Sequence, residues 1–376
     1  MDERGVEPYG ENFPQSPHAD VPAYMAFPHF GRQPECIELA RNGISGMVAN
    51  QEEGRPSAGV KGHDGRRLIL IEQRFAVRHR HFRKCSMPLL TIRHVTEYSF
   101  QQPVSFGEHR LMMRPRESFD QRLIEARLDI TPEPAEFRWL HDVFGNSVAV
   151  ALFEGRADIL RVESEVTLNH APLGEGQVDV ETYARLFPFT YSSEDIPDLL
   201  RSIERQHLDP GRVVDNWARA FVRNDGRTET IALLSEMALT IKREFTYLAR
   251  HEKGTQSPVE TLEKRSGTCR DFAVLMIEAV RALGFAARFV SGYVYNPSKT
   301  EGLLGGGNTH AWVRIFLPGS GWVEFDPTNG IIGNRGLVRV AVARDPYQAI
   351  PLWGTWNGRP SSYIGMTVDV EVKSVG

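Results

Sequence analysis

Cys269, His310 and Asp326 are the residues of this chain whose types and order could carry chemistry together. A thiolate attacks acyl carbon, an imidazole takes and returns the proton, and a carboxylate orients that imidazole and supports its charge. The local sequences are Ser266-Gly267-Thr268-Cys269-Arg270-Asp271-Phe272-Ala273, Asn308-Thr309-His310-Ala311-Trp312 and Trp322-Val323-Glu324-Phe325-Asp326-Pro327. Alone, each has an ordinary explanation. A free cysteine is usually packed in a core, a strand histidine is often half exposed, and Asp before Pro often starts a turn. The joint pattern is what points to acyl chemistry through a thiolate.

Such chemistry needs elements that hold the three groups. Thr268 has the hydroxyl of an N-cap, and Asp271 three residues on completes a Thr-x-x-Asp capping box. Phe272, Leu275, Met276, Ala279, Val280 and Leu283 follow at helical spacing and define one buried face, with Gly284 ending the helix. Cys269 then falls on the first turn, where the helix dipole favours a thiolate and backbone N–H groups can receive an oxyanion. Asp271 reads as a cap, not a catalytic acid, and Asn is expected to replace it with little loss.

Residues 309–317 and 322–326 read as two strands joined by the turn Pro318-Gly319-Ser320-Gly321. His310, Trp312, Arg314 and Phe316 share one face of the first. Pairing Phe316 with Trp322 sets Arg314 opposite Glu324, a favourable cross-strand pair. His310 then becomes the diagonal neighbour of Asp326, with Cα atoms roughly 7–8 Å apart. A slip of one residue would put them on opposite faces.

Gly267–Ala273, Thr309–Trp312 and Gly321–Thr328 together resemble the bacterial transglutaminase-like superfamily of papain-like cysteine enzymes. The core resemblance covers residues 228–345, and residues 88–170 resemble the β-rich N-terminal domain that accompanies it. The resemblance implies an α+β fold: a papain-like, transglutaminase-like core, with the nucleophile's helix packed on an antiparallel sheet, preceded by a small β-sandwich-like domain. It implies Cys269 as nucleophile, His310 as general base and acid, and Asp326 as orienter. It also makes Tyr247, upstream of the nucleophile, a candidate oxyanion donor, with simple packing as the competing role. Hydrolysis of peptide or amide bonds through a thioester acyl-enzyme is the leading expectation. Acyl transfer from protein glutamine to amines and a non-catalytic peptide-binding module are the alternatives.

Composition limits the other possibilities. The chain has 376 residues, enough for two domains, with 41% hydrophobic and 24% charged residues, as in soluble globular proteins. A formal net charge of -4 argues against a general nucleic-acid binder. No apolar run reaches the length of a membrane span. Three cysteines, Cys36, Cys85 and Cys269, make no disulfide framework, which fits a reducing, cytoplasmic setting. Neither a CxxC nor an HExxH pattern is present, and neither cofactor nor metal is expected. The expected partner is a peptide or protein substrate, with no nucleic acid and no membrane.

Residues 1–86 lack sustained periodicity and are rich in Pro, Gly and charge. We expect a disordered extension, with the native chain starting at Met87; a regulatory or targeting extension is the alternative. Residues 87–170 read as the β-rich domain, with strands at 121–130, 147–153 and 157–168 and a turn at Asp142–Asn146. Residues 171–227 read as a helical connector. Residues 228–376 read as the catalytic core, with strands near 337–343 and 364–373 completing its sheet. Gly305-Gly306-Gly307, just before His310, reads as a rim of the cleft, either a gate or a plain surface loop. Arg344–Tyr347 and Trp353 are expected on its far side.

Overall fold

The computed structural model describes residues 6–9, 88–172, 178–249, 254–295 and 303–375. Strand β1 (Val6–Tyr9) is followed by β2 (Leu89–Leu111), β3 (Gln121–Thr131), β4 (Glu136–His141), β5 (Ser147–Leu152) and β6 (Ala157–His170). The two-residue β7 (Leu186–Phe187), helices α1 (Ile196–Ile203) and α2 (Val213–Arg219) and β8 (Thr228–Glu229) lead onward. Next come α3 (Thr230–Glu244), β9 (Thr246–Tyr247), α4 (Pro258–Lys264), β10 (Ser266–Gly267) and α5 (Cys269–Ala282). The chain then forms β11 (Ala287–Val294), β12 (His310–Leu317), β13 (Gly321–Asp326), β14 (Ile331–Ile332) and β15 (Leu337–Ala343), and closes with β16 (Leu352–Asn357) and β17 (Tyr363–Val375).

The 23-residue β2 serves two sheets. Its first half pairs with β17 and β6, and β6 with β3; its second half pairs with β16 and β5, and β5 with β4. The register shifts between Ser99 and Val104, where Pro103, lacking an N–H, fits only a break in the ladder. Tyr98, Phe100, Phe106, Leu160 and Trp356 fill the space between the two halves, which gives the sandwich-like domain its core.

Two features differ from the sequence reading. Residues 363–375 do not complete the catalytic sheet; β17 runs antiparallel along β2, from Tyr363 opposite Phe100 to Val375 opposite Leu89. Alternation defines a strand but does not name its partner. Val6–Tyr9, expected to be disordered, pairs with β16; backbone pairing on a sheet edge needs no hydrophobic periodicity. The remainder of the expected 1–86 extension lies outside the described residues.

The catalytic sheet has the order β14-β13-β12-β11-β15. Ala311, Val313 and Ile315 on one face join Phe272, Met276 and Val280 of α5 in the main core. Full burial of each such large apolar side chain contributes roughly 1.5–3 kcal/mol. On the other face Tyr293, Val338 and Val340 pack against Leu90, Ile92, Val166, Leu168 and Val370 of the β-rich domain. The catalytic sheet is therefore covered on one side by α5 and on the other by the N-terminal sheet.

Helix α5 starts where the cap predicts. Asp271 N donates to Thr268 Oγ1 and Thr268 N donates to Asp271 Oδ2 at 2.8 Å. Gly284, at φ 90°, follows its end. The expected face is buried, Leu283 partly so, but burial extends around the helix to Glu278 and Arg281. Those two charges pair at 3.0 Å, and Glu278 also accepts from Gln206 N and His207 N. The segment expected as a connector supplies part of this cover: Val214 and Ala218 of α2 sit in the main core.

Candidate active site

Cys269 is the first residue of α5, its side chain a free thiol and the residue only 6% exposed. It is placed by two local devices. The capping box fixes the helix start, and β10 pairs in parallel with β9, setting Gly267 beside Tyr247. Leu248 N donates to Gly267 O at 2.9 Å and continues the pairing. A side chain on Gly267 would meet Asp271 Cβ at 2.9 Å, so the close approach of this turn to the helix requires glycine.

His310 opens β12 and Asp326 ends β13. The hairpin has the register that the charges specify: Phe316 opposite Trp322 and Arg314 opposite Glu324, with Arg314 Nε 3.1 Å from Glu324 Oε1. His310 Nε2 donates to Asp326 Oδ2 at 2.8 Å, and both side chains are inaccessible to solvent. Trp312 packs on the imidazole at 5.9 Å between ring centroids and 26° between planes.

Burial alone would push the His310 imidazole down and the Asp326 carboxyl up. The opposite occurs. Asp326, together with the Cys269 thiol, raises the imidazole, while His310, Asn329 and the Thr328 N–H hold the carboxyl below its usual range. His310 Nδ1 is buried and makes no aligned hydrogen bond, although the thiol is near enough to act on the ring. Thiol–imidazole contacts of this looser kind are common in ligand-free sites. Nδ1 is thus the nitrogen left for the thiol, and Nε2 the one held by the carboxylate.

Tyr247 lies on β9 and is half buried, with its ring against Phe272 at 6.5 Å. Burial and the neighbouring Cys269 thiol push its hydroxyl well above the usual range, so it stays protonated and able to donate. The ring packs, and the hydroxyl faces the Cys269 sulfur. Asp271 is buried and accepts from Gln256 N at 2.7 Å and from Thr268 N and Oγ1. It is a cap and a tie to the preceding segment.

The glycine segment borders the site. Gly305 has φ 87°, and a Cβ there would lie 2.5 Å from His310 Nδ1. Arg344–Tyr347 meets the first turn of α5 through Arg270, whose guanidinium donates to Pro346 O at 2.9 Å. Trp353 instead lies on β16 opposite Arg110 of the N-terminal sheet. Among the described residues no cluster of His, Cys, Asp and Glu could hold a metal ion, and no helix is long and apolar enough to cross a membrane.

Sequence reasoning missed Asn329. Its Nδ2 donates to Asp326 Oδ2 at 2.8 Å and to Leu304 O at 3.1 Å, and its Oδ1 accepts from Leu304 N at 2.9 Å. Its signal was the proximity of an amide to the Asp326-Pro327 turn, which by itself reads only as turn chemistry.

Residues 90–169 match the bacterial transglutaminase-like N-terminal region, and residues 215–327 match the transglutaminase-like superfamily core. Residues 215–327 are thus a transglutaminase-like superfamily core preceded by the N-terminal region that goes with it, and this supports cysteine-based catalysis. An uncharacterized protein of Mycobacterium tuberculosis is 28% identical over 291 residues, covering 74% of this chain and 91% of the relative. A protein-glutamine gamma-glutamyltransferase of Pseudomonas aeruginosa is 37% identical over 93 residues, or 23% of this chain and 14% of that protein. A candidate cysteine protease from Cytophaga hutchinsonii shares the fold with a TM-score of 0.57 at 20% identity, covering 77% of this chain and 91% of that one.

Proposed function

We propose that this protein hydrolyses peptide or amide bonds through a thioester acyl-enzyme, with Cys269 as nucleophile, His310 as base and acid, and Asp326 as orienter. The observation that carries this reading is the solvent-free His310–Asp326 pair, whose unpartnered Nδ1 is offered to a thiol at a helix N-terminus.

In this reading the Cys269 proton passes to His310 Nδ1, and the thiolate forms an S–C bond to the substrate carbonyl. The Tyr247 hydroxyl and the first-turn N–H groups of α5 receive the developing oxyanion. The imidazolium, stabilised by Asp326, protonates the leaving nitrogen as the C–N bond breaks. Water then adds to the thioester, gives its proton to His310, and the thiolate departs. No cofactor enters, and the substrate is a peptide or protein. The reducing cytoplasm, where the Cys269 thiol stays reduced, is the compartment this reading proposes.

A second reading, acyl transfer to an amine, is favoured by the identity shared with the Pseudomonas glutamyltransferase. The two diverge only at deacylation, where an amine replaces water. A peptide-library screen with wild type beside Cys269→Ala, with and without a primary amine, tests both. Hydrolysis insensitive to amine supports the first, and amine incorporation at the expense of hydrolysis supports the second. Absence of turnover together with an ordinary thiol alkylation rate would instead identify a non-catalytic peptide-binding module.

A further inference from the structure

We infer that Asn329 is a positioning residue for the His310–Asp326 pair, a side-chain clamp that holds the carboxylate and the Leu304 backbone at once. The inference rests on the reading of His310 and Asp326 as acid–base machinery, and it adds a fourth residue to it.

The orientation of the amide is forced by its neighbours. Ionised Asp326 can only accept, so the group 2.8 Å from its Oδ2 must be the NH2 of Asn329. Leu304 N can only donate, so the group 2.9 Å from it must be Oδ1. The contact between Asn329 Nδ2 and His310 Nε2, at 3.4 Å, then joins two donors and is not a hydrogen bond. Nδ2 and Nε2–H converge on the same carboxylate oxygen, Oδ2. The other oxygen, Oδ1, accepts Thr328 N at 2.9 Å and Asn329 N at 3.3 Å.

Asp326 is thereby held by four donors, three from residues 328 and 329 and one from the imidazole. Only Asn329 Nδ2 and the imidazole share Oδ2. Removing the amide lets the carboxylate rotate about its terminal torsion, which is broad and weakly restrained. The same substitution frees Leu304 N and O. Leu304 precedes Gly305, which lies so near the ring that a Cβ there would be 2.5 Å from His310 Nδ1. Asn329 therefore restrains the imidazole from both ends: Nε2 through the carboxylate and Nδ1 through the segment lying on it. The groups facing the ring are Asp326, Cys269 and the Tyr247 hydroxyl beside that thiol.

The test uses the full chain with Cys36→Ser and Cys85→Ser, so that Cys269 is the only thiol, and compares Asn329→Ala with Asn329→Asp. Asn329→Asp keeps an acceptor for Leu304 N but cannot donate to Asp326 when ionised. It is nearly isosteric, so it carries the test if Asn329→Ala does not fold. The first readout is the His310 Nε2–H signal in NMR of histidine-labelled protein, assigned with His310→Gln. The wild type should show an exchange-protected Nε2–H that is lost or broadened in both variants. The second is iodoacetamide alkylation of Cys269 against pH. Its rate should fall about tenfold to hundredfold, the scale of a hydrogen bond to a charged group. In Asn329→Ala its alkaline limb should move down, towards the ordinary imidazole value. An unchanged Nε2–H signal in both variants would overturn the inference, even if both melt at lower temperature. Because that signal does not depend on turnover, the clamp would still stand if no peptide were hydrolysed; the hydrolase reading alone would fall.

Discussion

Asp326 Oδ2 and His310 Nε2 meet at 2.8 Å with both side chains cut off from solvent. At that burial an unpaired charge would be costly, so each group depends on the other for its ionisation state. Removing one partner affects both chemistry and stability.

Three substitutions at the site should grade activity. Cys269→Ala should abolish acylation, because no hydroxyl takes the place of the thiolate. His310→Ala should lose about 10²–10⁴-fold, the usual worth of general acid–base help. Asp326→Ala should lose less than either, since Asp326 does not touch substrate. Single-turnover acylation with an activated ester ranks the three, and Asp326→Ala at the level of Cys269→Ala would contradict the assignment.

The raised His310 imidazole should show as an alkaline extension of thiol reactivity. A charged imidazole that persists above its ordinary value of about 6.5 keeps the thiolate–imidazolium pair populated at higher pH. Its contribution to stability is complete below that unfolded value and is lost as pH rises through the raised folded one. Alkylation profiles of wild type and Asp326→Ala should differ in the alkaline limb, which falls at lower pH in the variant.

Acid should loosen the junction between the two sheets. His94 Nδ1 and Tyr293 Oη lie 2.9 Å apart, as do His170 Nδ1 and Tyr295 Oη. Burial pushes both imidazoles, and that of His109, down to about 4. Buried neutral histidines give full stability above about pH 6.5 and lose it as pH falls towards 4, at about 1.4 kcal/mol per pH unit for each. Urea unfolding at pH 7.5, 6 and 5 measures the slope. A flat profile would mean that these rings are solvated.

Asp271→Asn should cost more than the sequence alone implies. Each Asp271 oxygen faces a backbone donor, Gln256 N on one side and Thr268 N on the other. An amide NH2 must oppose one of them, leaving a buried donor unsatisfied at about 1–3 kcal/mol. Thermal melts should fall accordingly. Residual activity per folded molecule should stay near wild type, in contrast to His310→Ala.

Gly305→Ala and Gly307→Ala separate backbone strain from a steric block. Both residues have positive φ, 87° and 81°, but a Cβ at Gly305 would lie 2.5 Å from His310 Nδ1 while one at Gly307 meets nothing within 4 Å. Gly305→Ala should reduce turnover by about 10²-fold, the scale of a 1 Å misplacement in a reacting group. Gly307→Ala should show only a modest stability loss. Equal effects in the two variants would show that the imidazole tolerates the added methyl.

Local chemistry was legible in the residues. The capping box at Thr268 and Asp271 is written within four positions and appears as hydrogen bonds. The Arg314–Glu324 pairing followed from charge and a short turn, and the observed register matches it. Both depend on residues within one helix turn or one hairpin, whose geometry the backbone fixes with little help. The tertiary structure decided the rest. It sent β17 to β2 instead of the catalytic sheet, wrapped α5 until Glu278 and Arg281 had to satisfy each other, and brought Leu304 onto Asn329. The first and last of these join different parts of the chain, and the charge pair, one turn apart on α5, is forced by the burial of the whole helix. Periodicity shows which face of an element is apolar, but which surface that face meets is settled only when every element competes for the same core.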